Sequence, residues 1–244
     1  MKTHQYGTLY GIGVGPGDPD LIPLKSVNIL KRVAVIFAAS STKNVHSQAV
    51  KIAKPHIPET SQVKLLSFPM TKDQSEKEAC WQDHAKTIIA ELEKGHDVAF
   101  LTLGDSMTYA TYGYVLKYVL ALAPEAPVVT VPGITAYQAA AARVNRPLVE
   151  GEESLLILSG VEGGQRLREL SKTVDNVVFM KAYRNAGDIS DALEEQQMIN
   201  SSVAVANCGL DDEEVIEDVK TLKHRKPGYW TLILAKKHTD HEAP

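Results

Sequence analysis

Three short loops carry the residues of this sequence whose types and spacing could bind a ligand. Residues 11–20 (GIGVGPGDPD) follow a short apolar run, residues 104–109 (GDSMTY) place a carboxylate and two hydroxyls after another, and residues 132–137 (PGITAY) follow a third. Open α/β sheets bind ligands outside the carboxyl ends of their strands, so three such loops would line one crevice. Each loop alone is a weak signal, because a tight turn or a helix cap would also account for it.

The spacing of the first loop argues against a dinucleotide site. A G-x-G-x-x-G pattern from Gly11 needs glycine where Pro16 stands, and from Gly13 it needs glycine where Asp18 stands. Proline removes an amide donor, and the Asp18 carboxylate would repel a phosphate. This weakens the alternative of a nicotinamide-dependent oxidoreductase. Asp105 in the second loop could cap a helix, or bind a cation or a ribose hydroxyl.

Other catalytic patterns are absent from the sequence. The eight histidines do not cluster, and neither G-x-S-x-G nor H-E-x-x-H occurs. The two cysteines, Cys80 and Cys208, are far apart and form no C-x-x-C, so we expect free thiols and neither a disulfide framework nor a metal site. No catalytic residue is assigned.

Composition narrows the class of protein. Of the 244 residues 44% are hydrophobic and 23% charged, and Asp and Glu outnumber Lys and Arg by 30 to 26. The net charge of −4 argues against a nucleic-acid partner. The first twenty residues contain no continuous apolar stretch, and the longest uncharged run, residues 126–142, is interrupted by Pro132 and Gly133. We therefore expect a soluble cytoplasmic protein with no membrane span.

Alternating apolar patterns predict an α/β protein with a parallel sheet covered on both faces, followed by a second α/β domain. The boundary is predicted near Arg146, giving domains of residues 1–146 and 147–244. Predicted strands cover 9–12, 33–37, 63–66, 97–103, 128–131, 155–158, 177–180 and 203–206, with antiparallel strands in 214–237 of which 229–235 is the last. Predicted helices follow Pro23 and cover 45–53, 81–92, a segment ending near 122, 136–144, 165–170 and 189–198.

Taken together, the three loops resemble the tetrapyrrole methylase family of S-adenosylmethionine-dependent methyltransferases. The resemblance rests on residues 10–27, 100–116 and 131–158, with weaker support from 177–185, 203–213 and 229–234. It implies two α/β domains, the N-terminal one built on a mostly parallel sheet and the C-terminal one on a mixed sheet. It also implies a ligand cleft between the domains and a homodimeric assembly.

The resemblance also implies which residues bind the methyl donor. One departure is that the usual Gly-Asp-Pro of the second loop reads Gly104-Asp105-Ser106 here, which keeps the carboxylate but loses a proline. Another is that Lys181 stands where related enzymes often have methionine. The implied S-adenosylmethionine-binding residues are Pro16, Gly104, Asp105, Ser106, Thr108, Thr135, Ala136, Lys181, Ala204 and Thr231.

The implied activity is methyl transfer to a carbon atom of a tetrapyrrole. Residues 68–73 with Trp81, residues 100–109 and residues 147–153 are most similar to members that methylate C20 of precorrin-2 or of its cobalt complex. Such a substrate carries eight carboxylates, so we expect cations around it. The candidates are Lys43, Arg143, Arg146, Lys181 and Arg184. Alternatives are a family member with another ring position or a non-tetrapyrrole substrate, and a non-enzymatic ligand carrier.

Overall fold

The computed structural model describes residues 6–41, 47–170 and 173–237. Its chain forms two compact units, Met1–Thr135 and Ala136–Pro244. The two units correspond to the two α/β domains predicted from the sequence.

The first unit alternates strands with helices. Its helices and strands are β1 (Leu9–Gly13), α1 (Leu24–Leu30), β2 (Val35–Ser41), α2 (Gln48–Ala53), β3 (Gln62–Phe68), α3 (Gln74–Leu92), β4 (Val98–Thr102), α4 (Tyr112–Leu122) and β5 (Val128–Val131), with short 3₁₀ turns at Pro19–Leu21 and Lys54–His56.

All five strands of this unit are parallel, in the order β3-β2-β4-β1-β5. Leu9 and Phe100 pack on one face of the sheet with residues of α3 and α4, whereas Ile12 and Leu101 pack on the other with residues of α1 and α2. The central strands β1 and β4 are buried along their whole length, as a parallel sheet covered on both faces requires.

The second unit combines one parallel pairing with three antiparallel ones. Its sheet has the order β6-β7-β10-β8-β9, in which only β6 and β7 are parallel. Its elements are α5 (Ala136–Arg143), β6 (Leu155–Ser159), α6 (Gln165–Leu170), β7 (Asn176–Met180), α7 (Ala186–Glu195), β8 (Ser202–Ala206), β9 (Glu214–Ile216) and β10 (Thr231–Lys236), with 3₁₀ turns at Gly160–Glu162, Ile199–Ser201 and Val219–Lys223.

Helix α5 belongs to the second unit because its small side chains pack on that unit's sheet. Ala140 and Ala141 are buried against Val205 and Leu232, on the face opposite to α6 and α7. The unit therefore begins at Ala136, the first residue of α5, whereas the sequence pattern predicts a domain boundary after this helix, near Arg146.

The fold class is as predicted, and the differences are local. Helix α3 begins at Gln74 instead of near Trp81 because Asp73 caps it, accepting hydrogen bonds from the backbone N–H of Ser75 (2.8 Å) and Glu76 (3.2 Å). The Ser75 hydroxyl, which also donates to Asp73 (2.7 Å), and these two backbone hydrogen bonds lower the pKa of Asp73. In the C-terminal segment, β9 and β10 do not pair with each other, since β8 lies between them.

Candidate functional site

The strand order of the first unit predicts where its sheet would bind a ligand. Strands β1 and β4 are neighbours, and the chain leaves β1 towards β2 but leaves β4 towards β5, on the opposite side. Helix α1 packs on one face and α4 on the other. Open α/β sheets bind ligands at the carboxyl ends of such divergent strands. The loops after β1 and β4 both begin there.

These loops and the loop after β5 interlock through their backbones. The Gly15 N–H donates to the Gly104 carbonyl (3.1 Å), and the Gly104 N–H donates to the Gly15 carbonyl (2.7 Å). A Cβ atom on Gly133 would lie 2.2 Å from the Gly104 carbonyl oxygen, and one on Gly13 would lie 2.6 Å from it. Only glycine permits this approach. The structure thus brings together the three loops that the sequence singled out.

Asp105 joins two of these loops. Its Oδ1 accepts hydrogen bonds from the Met107 N–H (2.8 Å) and the Thr108 hydroxyl (3.1 Å), and its Oδ2 accepts from the Gly133 N–H (3.0 Å). Of the roles that the sequence left open, it does not cap α4, which begins at Tyr112. The half-exposed carboxylate keeps acceptor capacity for a ligand, because an ionised carboxylate offers about four lone-pair sites.

The other residues at this edge that are predicted to bind the methyl donor differ in which of their groups a ligand can reach. Ser106 is fully buried, and its hydroxyl hydrogen-bonds that of Thr102 (2.9 Å), which itself donates to the Ile12 carbonyl (3.1 Å). Only the backbone of Ser106 is therefore available to a ligand. Thr108 is half-buried. The remaining residues are Pro16 and Thr135, which are buried, Gly104, which has φ +71°, and Ala136, which starts α5 of the second unit.

In the second unit the structure brings together Lys181 and Thr231 but not Ala204. Lys181 directly follows β7 and Thr231 begins β10, and the intervening Ala182 N–H donates to the Thr231 carbonyl (2.8 Å). Ala204 lies in the middle of β8, fully buried in the core with Ile233 and Ile216. Its side chain therefore faces the core and not this edge of the sheet.

Lys181 has an unusual backbone for a lysine. Its φ is +58°, a left-handed conformation that residues with a Cβ seldom adopt. Asn207, which follows β8 on the other side of β10, has φ +52°. Burial lowers the pKa of Lys181. Strained residues of this kind concentrate at ligand sites.

The candidate substrate cations fall into two groups. Arg143 forms an ion pair with Glu213, and Arg146 donates to the Ser201 carbonyl, so both have partners within the second unit. Arg184 is exposed and its guanidinium lies 5.4 Å from the Tyr183 ring centroid. Lys43 lies outside the described residues.

No site role is predicted from the sequence for Tyr229 and Trp230, which precede β10. Tyr229 packs against Tyr183 with ring centroids 4.8 Å apart, and Trp230 meets Tyr229 edge-on at 6.0 Å. The sequence signal that could have pointed to them is a pair of adjacent aromatic residues at the start of the last predicted strand.

Comparison with known proteins gives the family. Residues 8–223 match the model of the tetrapyrrole (corrin/porphyrin) methylases. The cobalt-precorrin-2 C(20)-methyltransferase of Salmonella typhimurium is 30% identical, over 96% of this chain and 98% of the relative. This chain belongs to the tetrapyrrole methylase family. A precorrin-2 C(20)-methyltransferase of Sinorhizobium sp is 29% identical to this tetrapyrrole methylase, over 93% and 94% of the two chains.

A solved structure confirms the fold of this tetrapyrrole methylase. The uroporphyrin-III C-methyltransferase of Thermus thermophilus, complexed with S-adenosylhomocysteine, superposes with a TM-score of 0.65 at 22% identity, covering 93% of this chain and 97% of that one. Within the described residues, no helix is both long and apolar enough to cross a membrane.

The groups at the carboxyl edge of the first sheet suit S-adenosylmethionine. A carboxylate after a strand can accept hydrogen bonds from ribose hydroxyls, as Asp105 could with its remaining acceptor positions. Backbone carbonyls and the Thr108 hydroxyl add further acceptors for an ammonium group. These hydrogen-bond acceptors thus fit S-adenosylmethionine, the cofactor that the family implies.

Proposed function

We propose that this tetrapyrrole methylase transfers a methyl group from S-adenosylmethionine to C20 of precorrin-2 or cobalt-precorrin-2, in cobalamin biosynthesis. The observation that carries the proposal is similarity along nearly the whole chain to two proteins named for C20 methylation. The loops at the divergent strands supply a suitable place for the methyl donor. The glycine spacing that excludes a dinucleotide loop speaks against the oxidoreductase alternative.

The residues of the first unit would act by holding the donor. When bound, S-adenosylmethionine supplies an activated methyl group on a sulfonium. Asp105, Thr108 and Thr135 would hold it, with Pro16, Gly104 and the Ser106 backbone lining the loops. Because Asp105 and the glycine contacts fix these loops, they would align the methyl group with the acceptor carbon, and alignment of this kind can lower a barrier by about 7–11 kcal/mol.

The residues of the second unit would contact both the methyl donor and the substrate. We propose that Lys181, Thr231 and Ala136 also contact the methyl donor, and that Arg184 binds substrate carboxylates. Precorrin-2 is electron-rich at the meso carbon, so attack on the methyl group needs no strong base.

A homodimer and a cytoplasmic location are also part of the proposal. Light scattering on the purified chain tests the oligomeric state, and cell fractionation tests the location.

One incubation tests the proposed reaction. The purified protein is given S-adenosylmethionine with a ¹³C-labelled methyl group and precorrin-2, with and without cobalt inserted, and the product is analysed by mass spectrometry and NMR. We expect one added methyl group at C20, and the faster substrate identifies the physiological macrocycle. A label at another ring carbon would retain the family chemistry and refute the C20 assignment, and no transfer to either macrocycle would refute the proposed substrate.

A further inference from the structure

Three aromatic side chains project from one edge of the second unit's sheet. Tyr183 lies in the loop after β7, and Tyr229 and Trp230 directly precede β10. The Tyr183 and Tyr229 rings are inclined at 54°, and the Tyr229 and Trp230 rings at 82°. The three rings, here called the aromatic corner, therefore present faces in different directions instead of one flat stack.

The backbone keeps the aromatic corner at the surface. The Ala182 N–H donates to the Thr231 carbonyl (2.8 Å), and the Asn207 N–H donates to the Trp230 carbonyl (3.2 Å). These bonds tie the loops after β7 and β8 to the start of β10. Tyr229 and Trp230 remain 47% and 43% exposed, although the cores on both faces of the sheet are filled without them. A cluster of large exposed apolar side chains marks an interaction site.

A cation lies at the rim of the aromatic corner. The Arg184 guanidinium is 5.4 Å from the Tyr183 ring centroid and forms no ion pair within the described part of the chain. Arg168 of the same unit, in contrast, is paired with Asp188 and Glu195. Burial raises the pKa of Tyr229, Tyr183 raises it further and the positive charge of Arg184 opposes the rise. Apolar rings beside an unpaired cation suit a ligand with a large ring and carboxylates.

We propose that the aromatic corner and Arg184 bind the carboxylate-bearing macrocycle of the substrate and set its affinity separately from that of the methyl donor. This inference rests on the proposed function. The macrocycle is favoured over the adenosyl group because the Arg184 guanidinium beside the rings suits a carboxylate, which the macrocycle carries on its periphery and the adenosyl group lacks. Arg184 would pair with a peripheral carboxylate while the rings contact the macrocycle.

Equilibrium binding tests the proposal without depending on turnover. Precorrin-2 and its cobalt complex are titrated into the full chain saturated with S-adenosylhomocysteine, so that no methyl transfer takes place. We expect Tyr229→Leu and Trp230→Leu each to weaken macrocycle binding about tenfold. Tyr229→Phe, which keeps the ring, should stay within about twofold of the parent protein. Arg184→Gln should weaken binding about fivefold at low salt and reduce its salt dependence.

Matched controls separate this role from a structural one. Tyr114 is 50% exposed and stacks on Trp81 in the first unit, so Tyr114→Leu removes a similar exposed ring and should leave macrocycle binding unchanged. S-adenosylhomocysteine affinity and melting temperature should change little in the aromatic-corner variants. Unchanged macrocycle affinity in these variants would overturn the proposal, as would weaker binding of S-adenosylhomocysteine alone.

The outcomes also distinguish this inference from the proposed function. Methyl transfer to another carbon, together with weakened binding in the variants, would refute the C20 assignment and support the aromatic corner. Transfer to C20 with unchanged binding in the variants would refute the aromatic corner alone. Dissociation of an oligomer on Trp230→Leu, with unchanged macrocycle affinity, would show that the rings bind a second copy of the chain instead.

Discussion

The two sheets carry their candidate sites in different ways. In the first unit, backbone groups and one carboxylate hold the loops after β1, β4 and β5 so tightly that a Cβ on Gly133 would lie 2.2 Å from a carbonyl oxygen. In the second unit, the loops after β7 and β8 adopt left-handed conformations at Lys181 and Asn207, while the segment before β10 exposes two rings and the loop after β7 exposes a cation. One site is built mainly from main chain and the other mainly from side chains.

Because the two sites are built differently, they suit different kinds of ligand. A site made of interlocked backbone tolerates few substitutions, so it suits a ligand that every family member shares. A site made of exposed side chains can change without disturbing the fold, so it suits a ligand that differs between members. Four substitutions would sharpen or break this contrast.

The largest effect is expected for Gly133→Ala. The added methyl group would overlap the Gly104 carbonyl and the Gly13 backbone, neither of which can move without breaking the loops apart. We expect the free energy of unfolding to fall by at least about 3 kcal/mol, measured by urea denaturation. Gly113→Ala is the control, because nothing lies within 4 Å of its added Cβ and it lies in α4, where alanine should stabilise by about 0.5–1 kcal/mol. Equal effects would show that the loops are not close-packed.

Asp105→Ala should have the next largest effect. It leaves the Gly133 and Met107 N–H groups and the Thr108 hydroxyl without their acceptor. We expect about 1–3 kcal/mol of lost stability, and at least tenfold weaker S-adenosylmethionine binding by isothermal titration calorimetry. Asp83→Ala removes an exposed carboxylate of α3 and should change neither quantity. Normal affinity in Asp105→Ala would show that this loop does not bind the donor.

Glu91→Gln tests how much a buried carboxylate with three basic partners stabilises the first unit. Glu91 is 7% exposed and contacts Lys64, Lys94 and His96, whose hydrogen bonds lower its pKa to about 2. Because the pKa of Glu91 lies below its ordinary value of 4.5, its ionised form stabilises the fold fully above about pH 4.5, and this contribution is lost as the pH falls towards 2.

At pH 7 we expect Glu91→Gln to cost about 1–2 kcal/mol, a difference from the parent protein that should shrink between pH 5 and pH 3. Urea denaturation across this range measures it. Glu195→Gln removes a half-exposed partner of Arg168 in the second unit and should have a much smaller effect. A difference for Glu91→Gln that is independent of pH would contradict the ion-pair explanation.

Ser106→Ala should have the smallest effect. The variant loses the buried hydrogen bond to the Thr102 hydroxyl, which keeps its own bond to the Ile12 carbonyl. Stability should fall by about 1 kcal/mol, with unchanged S-adenosylmethionine affinity by calorimetry. Weakened affinity without a loss of stability would mean that the hydroxyl serves the ligand instead of the core.

Local patterns predicted the elements well but not their ends. The bounds of β5 (Val128–Val131) and α6 (Gln165–Leu170) agree with the apolar pattern, since both segments lie between clear turn signals. Helix α7 spans Ala186–Glu195 where 189–198 was predicted, because the pattern continues through Met198, which is buried beyond the helix end. The donor-binding role of Ala204 stays a prediction from motif alignment, which carries no information about the face on which a strand residue lies; its side chain lies in the core.

The sequence by itself determined the family, the two α/β units and the three loops, because these depend on residue types at short separations. Tertiary structure decided what each side chain in those loops faces. The Ser106 side chain lies in the core, and the Asp105 carboxylate binds the backbone of Gly133, 28 residues away. Tyr183 contacts Tyr229 because β7 and β10, which are far apart in the chain, are neighbours in the sheet. Such partners are fixed by strand order and packing, which no local pattern encodes.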